Sequence, residues 1–170
     1  LTQRVFADRL GVSLPYLSQM ENNHRPVSAG VLLRLASEFS VDVGALAAGL
    51  AKRGIKQGDY VLIHLDNCVE AIMSWFACVE LGAIAVTTNT RSAAAEIEYF
   101  AGHCGAVAAI TQPAYAELIS ANCKGLRWIA VISHDAGQAP SQAPARGDSF
   151  DALFADSADR PRRPVDPFAP

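Results

Sequence analysis

Apolar positions change their rhythm once along this chain. From Leu1 to about Asp42 they recur in short pieces at helical spacing. Val5, Phe6 and Leu10 fall on a first helix that Thr2 can cap, and Gly11 supplies its stop. Ser13 is the natural cap of a second helix, "LPYLSQMEN". Pro15 is harmless there because the amides of a first turn have no intrahelical partner. Leu17 and Met20 of that helix are expected to face inward, and Tyr16, Ser18 and Gln19 more outward. Pro26 blocks continuation, Ser28 restarts the chain, and Leu32, Leu35, Ala36 and Phe39 make the apolar stripe of a third helix.

After Val43 the period alternates between that of helices and that of strands. "ALAAGLAKRG" reads as a helix closed by Gly54, "DYVLIHL" as a strand and "CVEAIMSWFACVELG" as a helix closed by Gly82. The strand "AIAVTT", the helix "SAAAEIEYFAGHCG", the strand "AVAAIT", the helix "AYAELISANCKG" and the strand "RWIAVIS" follow. Strands that are apolar on both sides and alternate with helices predict a mostly parallel sheet covered on both faces. The expected fold class is therefore α/β: a partial, mostly parallel sheet with flanking helices, preceded by a small all-α unit. From His134 onward Pro, Ala, Gln, Asp and Arg dominate, and only "SFDALFAD" has the makings of a short helix. The expected division is residues 1–42, residues 45–133, and a loop or tail over 134–170.

Composition changes this picture little. With 170 residues, 51% of them apolar, and a net charge of −3, the chain can bury one ordinary core with a small appended unit. No uncharged apolar run is long enough to span a membrane, and Arg4, Asp8 and Arg9 interrupt the start, so neither a membrane span nor a signal peptide is supported. The cytoplasm is the expected compartment. Cys68, Cys78, Cys104 and Cys123 are irregularly spaced with no Cys-x-x-Cys, and they read as buried free thiols rather than metal ligands. Mild acidity gives no general basic field for nucleic acid.

The opening letters nevertheless carry a specific pattern: Thr2-Gln3, Phe6-Ala7, Leu10-Gly11-Val12-Ser13, Tyr16-Leu17-Ser18-Gln19, Glu21-Asn22, Arg25-Pro26-Val27-Ser28, Leu33, Arg34-Leu35-Ala36, Phe39 and Val41-Asp42. This resembles the Cro-like (XRE) helix-turn-helix family. The tight turn at Gly11 would let the second helix enter a major groove, the only groove wide enough for a helix. The resemblance implies double-stranded DNA as a partner, with Gln3 and Arg25 on phosphates. Ser13, Leu14, Tyr16, Ser18 and Gln19 are the candidate base-edge positions: Gln19 suits an adenine, and Leu14 a thymine methyl. The family has a further helix before Thr2, so the unit is expected to be a helix-turn-helix with its first helix missing. A second copy of the chain is the other candidate partner.

The stretch from Ala45 to Ser133, with Gly58-Asp59 opening a strand, Asn67 and Glu70 at a strand-to-helix turn and the block "LGAIAVTTNTRSAAAEIEYF", resembles the N-terminal part of adenylate-forming (AMP-binding) acyl-CoA synthetases. Such enzymes use ATP, Mg²⁺ and coenzyme A to turn a carboxylic acid into an acyl adenylate and then a thioester. Their "TSGTTG.PK"-type phosphate loop, "TE" pair, ribose-binding Asp and lid lysine are not among these 170 residues. The chain as written is therefore expected to have no catalytic residues and no cofactor of its own. Arg91 in "NTR" follows a strand's carboxyl end and is a weak candidate for a CoA phosphate, with capping and solvent exposure favoured. His64, inside an apolar strand, reads as a satisfied core residue, and Met73, Trp75 and Phe76 as core packing. The resulting reading is a fragment of an AMP-forming acyl-CoA synthetase fused to a helix-turn-helix segment. The alternative is a transcriptional regulator of acyl metabolism that uses the α/β part as sensor or dimerisation module.

Overall fold

The computed structural model describes residues 2–21, 31, 34, 42–135 and 147–161. It divides the chain into two units, Leu1–Asp42 and Val43–Pro170.

In the first unit, α1 (Gln3–Leu10) begins where the Thr2 hydroxyl accepts the Val5 amide. It ends at Gly11, whose φ of 61° is one that side chains rarely adopt. Helix α2 (Leu14–Glu21) follows after two residues. Ala7, Leu10, Leu17 and Val31 are the buried centre, with Phe6, Val12, Tyr16 and Met20 packed around it. Residues 31 and 34 are helical, whereas Leu32, Leu35, Ala36 and Phe39 lie outside the described residues.

The second unit opens with α3 (Val43–Lys52) and continues as β1 (Tyr60–His64), α4 (Val69–Leu81), β2 (Ile84–Thr87), α5 (Ala94–Cys104), β3 (Ala108–Thr111), α6 (Pro113–Asn122), β4 (Trp128–Val131) and β5 (Asp148–Ser149). The sheet order is β2-β1-β3-β4-β5 with every pairing parallel, as continuous apolar strands require. On one face Leu62 and Ala109 pack with Ile97 and Ala101 of α5 and with Ile119 of α6. Val61 and Ile63 alternate to the other face and are buried too. Gly82 and Gly105 end α4 and α5 in the left-handed conformation. Helix α6 ends at Asn122 with Cys123 as its cap, short of the Lys124-Gly125 that closes the expected stretch.

The "SFDALFAD" stretch holds its expected short helix as a single 3-10 turn, and the residues at its start add an unexpected strand. Asp148 and Ser149 extend the sheet, and Phe150–Leu153 forms a 3-10 turn with Phe150 and Leu153 buried. The Ala155 amide donates to the Ala45 carbonyl at 3.0 Å. Ion pairs Lys52–Asp159 (2.6 Å), Arg53–Asp148 and Arg160–Glu80 tie the segment down. No described helix is long and apolar enough to cross a membrane.

Candidate functional site

Two surfaces carry polar or exposed groups in an arrangement that could bind something. The first is α2. The Ser13 hydroxyl accepts the Tyr16 amide at 3.3 Å, which caps the helix. Leu17 is buried and fixes the inner face. Ser13, Leu14 and Gln19 are exposed and Ser18 is half-exposed; Leu14 and Ser18 are one turn apart on the same side. Gln3 is exposed at the start of α1. Tyr16 differs from the outward placement expected of it: its ring packs on the Ala7–Leu10–Leu17 cluster, so only part of it reaches the surface. Arg25 lies outside the described residues. The exposed set on α2 therefore joins a short aliphatic side chain, two hydroxyls and one amide, the groups that read base edges.

The second surface is the carboxyl edge of the sheet. β1 has β2 on one side and β3 on the other, so the chain reverses its direction of winding there, the place where open α/β sheets bind ligands. A polar network fills that edge. Gln112, almost fully buried, donates from Nε2 to Asp66 and Asp135, each at 3.0 Å, and accepts the Asp66 amide at 2.8 Å. Asp66 also takes the Thr90 hydroxyl at 2.8 Å, and Asp135 the Ala114 amide at 2.9 Å. Beneath it lies His64, fully buried, with Nδ1 2.8 Å from the Thr88 hydroxyl and its ring edge-on to Tyr115. Among the described residues its Nε2 has no hydrogen-bond partner, so the expectation of a satisfied core histidine holds for one ring nitrogen and not for the other. Burial pulls the imidazole pKa down, with Asp66 pulling weakly the other way. Arg91 is exposed, in a turn where its amide donates to Asn89 Oδ1 at 2.9 Å; no described contact turns it toward the network.

The charge at this edge comes from Asp66 and Asp135: both Asp66 oxygens and Asp135 Oδ1 accept from Gln112, Thr90 and Ala114. Burial pushes the Cys68 thiol up to about 11 and Cys78 to about 12, and raises Cys123, which makes these three poor nucleophiles. Among the described residues no group of three His, Cys, Asp or Glu side chains could hold a metal.

Trp75 is corrected by the structure. Met73 is buried as expected, but Trp75 is 45% exposed, and with Val69, Ile72 and Val79 it forms an apolar strip along α4. In a helix apolar on almost every side, period alone does not tell which face meets the sheet.

Comparison with known proteins covers both units. The model of the AMP-binding enzyme family matches residues 36–169, and a helix-turn-helix model matches residues 1–46. A propionyl-CoA carboxylase regulator of Cereibacter sphaeroides is 70% identical over 53 residues, 31% of this chain and 12% of that protein. A crotonobetaine/carnitine–CoA ligase of Escherichia coli is 32% identical over 110 residues, 62% of this chain and 21% of the ligase. Among solved structures, an anthranilate CoA ligase in complex with anthranoyl-AMP superposes with a TM-score of 0.56 at 30% identity, covering 67% of this chain and 21% of the ligase. An acyl-CoA synthetase of Brucella canis gives 0.56 at 27% identity, covering 66% and 20%. The chain thus spans about an eighth of that regulator's length and about a fifth of that ligase's.

Proposed function

We propose, for a chain that belongs to the AMP-binding enzyme family, that its helix-turn-helix segment binds double-stranded DNA, while its α/β unit supplies the opening sheet of an adenylate-forming fold without itself activating a carboxylate. The observation that carries the first half is α2: capped by Ser13, held from behind by Leu17, and presenting Leu14, Ser18 and Gln19 outward. A helix of this shape enters the major groove N-terminus first. Gln19 then pairs bidentately with an adenine, Leu14 meets a thymine methyl, and Gln3 and Arg25 take phosphates. Charge near neutrality makes the phosphate contribution small, so affinity rests more on base contacts than in a basic domain.

The second half rests on chemistry. In the parent family ATP, Mg²⁺ and coenzyme A supply the activating group, the charge neutralisation and the acceptor thiol. Stabilising the transferred charge needs cations and a Gly/Ser/Thr-rich loop of amides. At the sheet edge stand two carboxylates that are already hydrogen-bonded. The regulator among the relatives supports a role of the whole protein in the transcription of acyl-CoA metabolism.

The test is selection from a pool of random duplexes by the 170-residue chain, followed by fluorescence anisotropy on the enriched sequence. A consensus bound at least tenfold more tightly than random duplex is expected. Recovery of no consensus would overturn the DNA-binding reading.

A further inference from the structure

We infer that Arg34 is a positioning residue for the DNA-reading helix: its guanidinium braces the α1–α2 turn and so sets the angle at which α2 is presented. The inference rests on the DNA-binding reading above for its consequence, though not for its geometry.

A helix end leaves its last carbonyls without intrahelical donors. At the end of α1 the Gly11 amide donates to the Asp8 carbonyl and the Val12 amide to the Ala7 carbonyl, each at 3.0 Å. The carbonyl of Leu10, the last helical residue, is taken from outside: Arg34 Nη1 donates to it at 3.1 Å. That donor comes from 24 residues further along the chain. It is also a cation at a helix carboxyl end, where the aligned peptide dipoles favour positive charge.

Gly11 shows how close the brace lies. A Cβ built on it would stand 1.6 Å from Arg34 Nη1 and 2.9 Å from Cζ. The guanidinium thus occupies the space a side chain would fill, and Gly11 is required twice, once for its positive φ and once to admit Arg34. The base of the strut is fixed as well. Val31, three residues before Arg34 and one helical turn away, is buried with Ala7, Leu10 and Leu17.

The strut matters for how α2 is aimed. Leu17 is buried, and Tyr16 and Met20 pack partly covered on the same cluster. These three fix the inner face of the eight-residue helix, and the freedom that remains is that of the turn joining it to α1. Bracing the Leu10–Gly11 link from Arg34 removes that freedom before DNA arrives, and a competent fraction near one is what keeps apparent affinity near the intrinsic value.

The test compares Arg34→Met, which keeps the stem and loses the donor and charge, with Arg34→Lys, which keeps a cationic donor. On the selected duplex Arg34→Met is expected to bind about tenfold more weakly, as a competent fraction reduced to about a tenth requires. Its slope of log Kd against log salt should be unchanged, and Arg34→Lys should recover most of the loss. In the free proteins, hydrogen exchange at the Val12 and Leu17 amides should speed up in Arg34→Met, with the Leu62 amide of the α/β unit as internal reference. Equal affinity for Arg34→Met and wild type would overturn the inference. So would a salt slope reduced by about one, which marks a phosphate contact instead. Should the wild type select no duplex, the DNA reading falls, and unaltered exchange at Val12 and Leu17 would then remove the brace as well.

Discussion

Replacing Gly49 by alanine isolates the contact that makes 150–153 part of the fold. Gly49 lies inside α3, where alanine is the better helix former by about 1 kcal/mol. Judged as a lone helix, Gly49→Ala should stabilise. In the folded unit the new Cβ would stand 1.3 Å from the Leu153 carbonyl oxygen and 2.5 Å from its carbon. Non-bonded heavy atoms settle at about 3.5 Å, so roughly 2 Å must open between two backbones. A backbone carbonyl offers no rotamer by which to yield. The 3-10 turn therefore lifts, drawing out Phe150 and Leu153, which are 3% and 0% exposed. Full exposure of two such side chains costs about 3–6 kcal/mol, and the helix-propensity gain brings the net loss to about 2–5 kcal/mol. Urea unfolding followed by tryptophan fluorescence measures it cleanly, because Trp75 and Trp128 both lie in this unit. Gly102→Ala is the control: it sits in α5 with nothing within 4 Å of its Cβ and should be neutral or stabilising by up to about 1 kcal/mol. Stability of Gly49→Ala within about 0.5 kcal/mol of wild type would refute the reasoning.

Acid should destabilise the α/β unit through His64. Its folded pKa lies below the unfolded value of 6.5, so the unfolded chain binds more protons between the two. Stability is then full above about pH 6.5 and falls as pH drops toward the folded pKa. His64→Gln should flatten this part of the profile, and identical wild-type and variant slopes between about pH 7.5 and 5 would reject the assignment. Millimolar MgATP should leave the melting temperature of the chain unchanged and support no acid-dependent exchange between pyrophosphate and ATP. A bound nucleotide at a hundred times its Kd would stabilise by about 2.7 kcal/mol, so a clear rise accompanied by exchange would refute the non-activating reading.

The order and type of the main elements were legible because two signals agreed. Both-sided apolar runs such as "YVLIH" and "AAIT" mark buried parallel strands, and Gly82 and Gly105 stand where α4 and α5 end. β5 was not legible: two exposed polar residues, Asp148 and Ser149, carry no period, and their pairing depends on β4 being already in place. The end of α6 at Asn122 had no local signal to set against Gly125. On α2 the inner and outer faces followed from Leu17, but Tyr16 turned toward the core because its large ring covers the small side chain of Ala7 and its neighbours more profitably than water does. The Asp66–Gln112–Asp135 network joins residues 46 and 23 positions apart and meets through the parallel register of β1, β3 and β4, so no short window of sequence contains it. Arg34 was visible as a letter of the helix-turn-helix pattern, and its contact with Leu10 required the fold.

The central claim is that α2 reads DNA, and Gln19 tests it most directly. Anisotropy titrations of wild type and Gln19→Ala against the selected duplex, and against duplexes changed one base pair at a time, separate reading from mere attachment. If Gln19 grips an adenine, the variant loses about 1–3 kcal/mol of discrimination at one base pair and keeps its preferences elsewhere. An equal loss on every duplex, or no loss on any, would contradict the account.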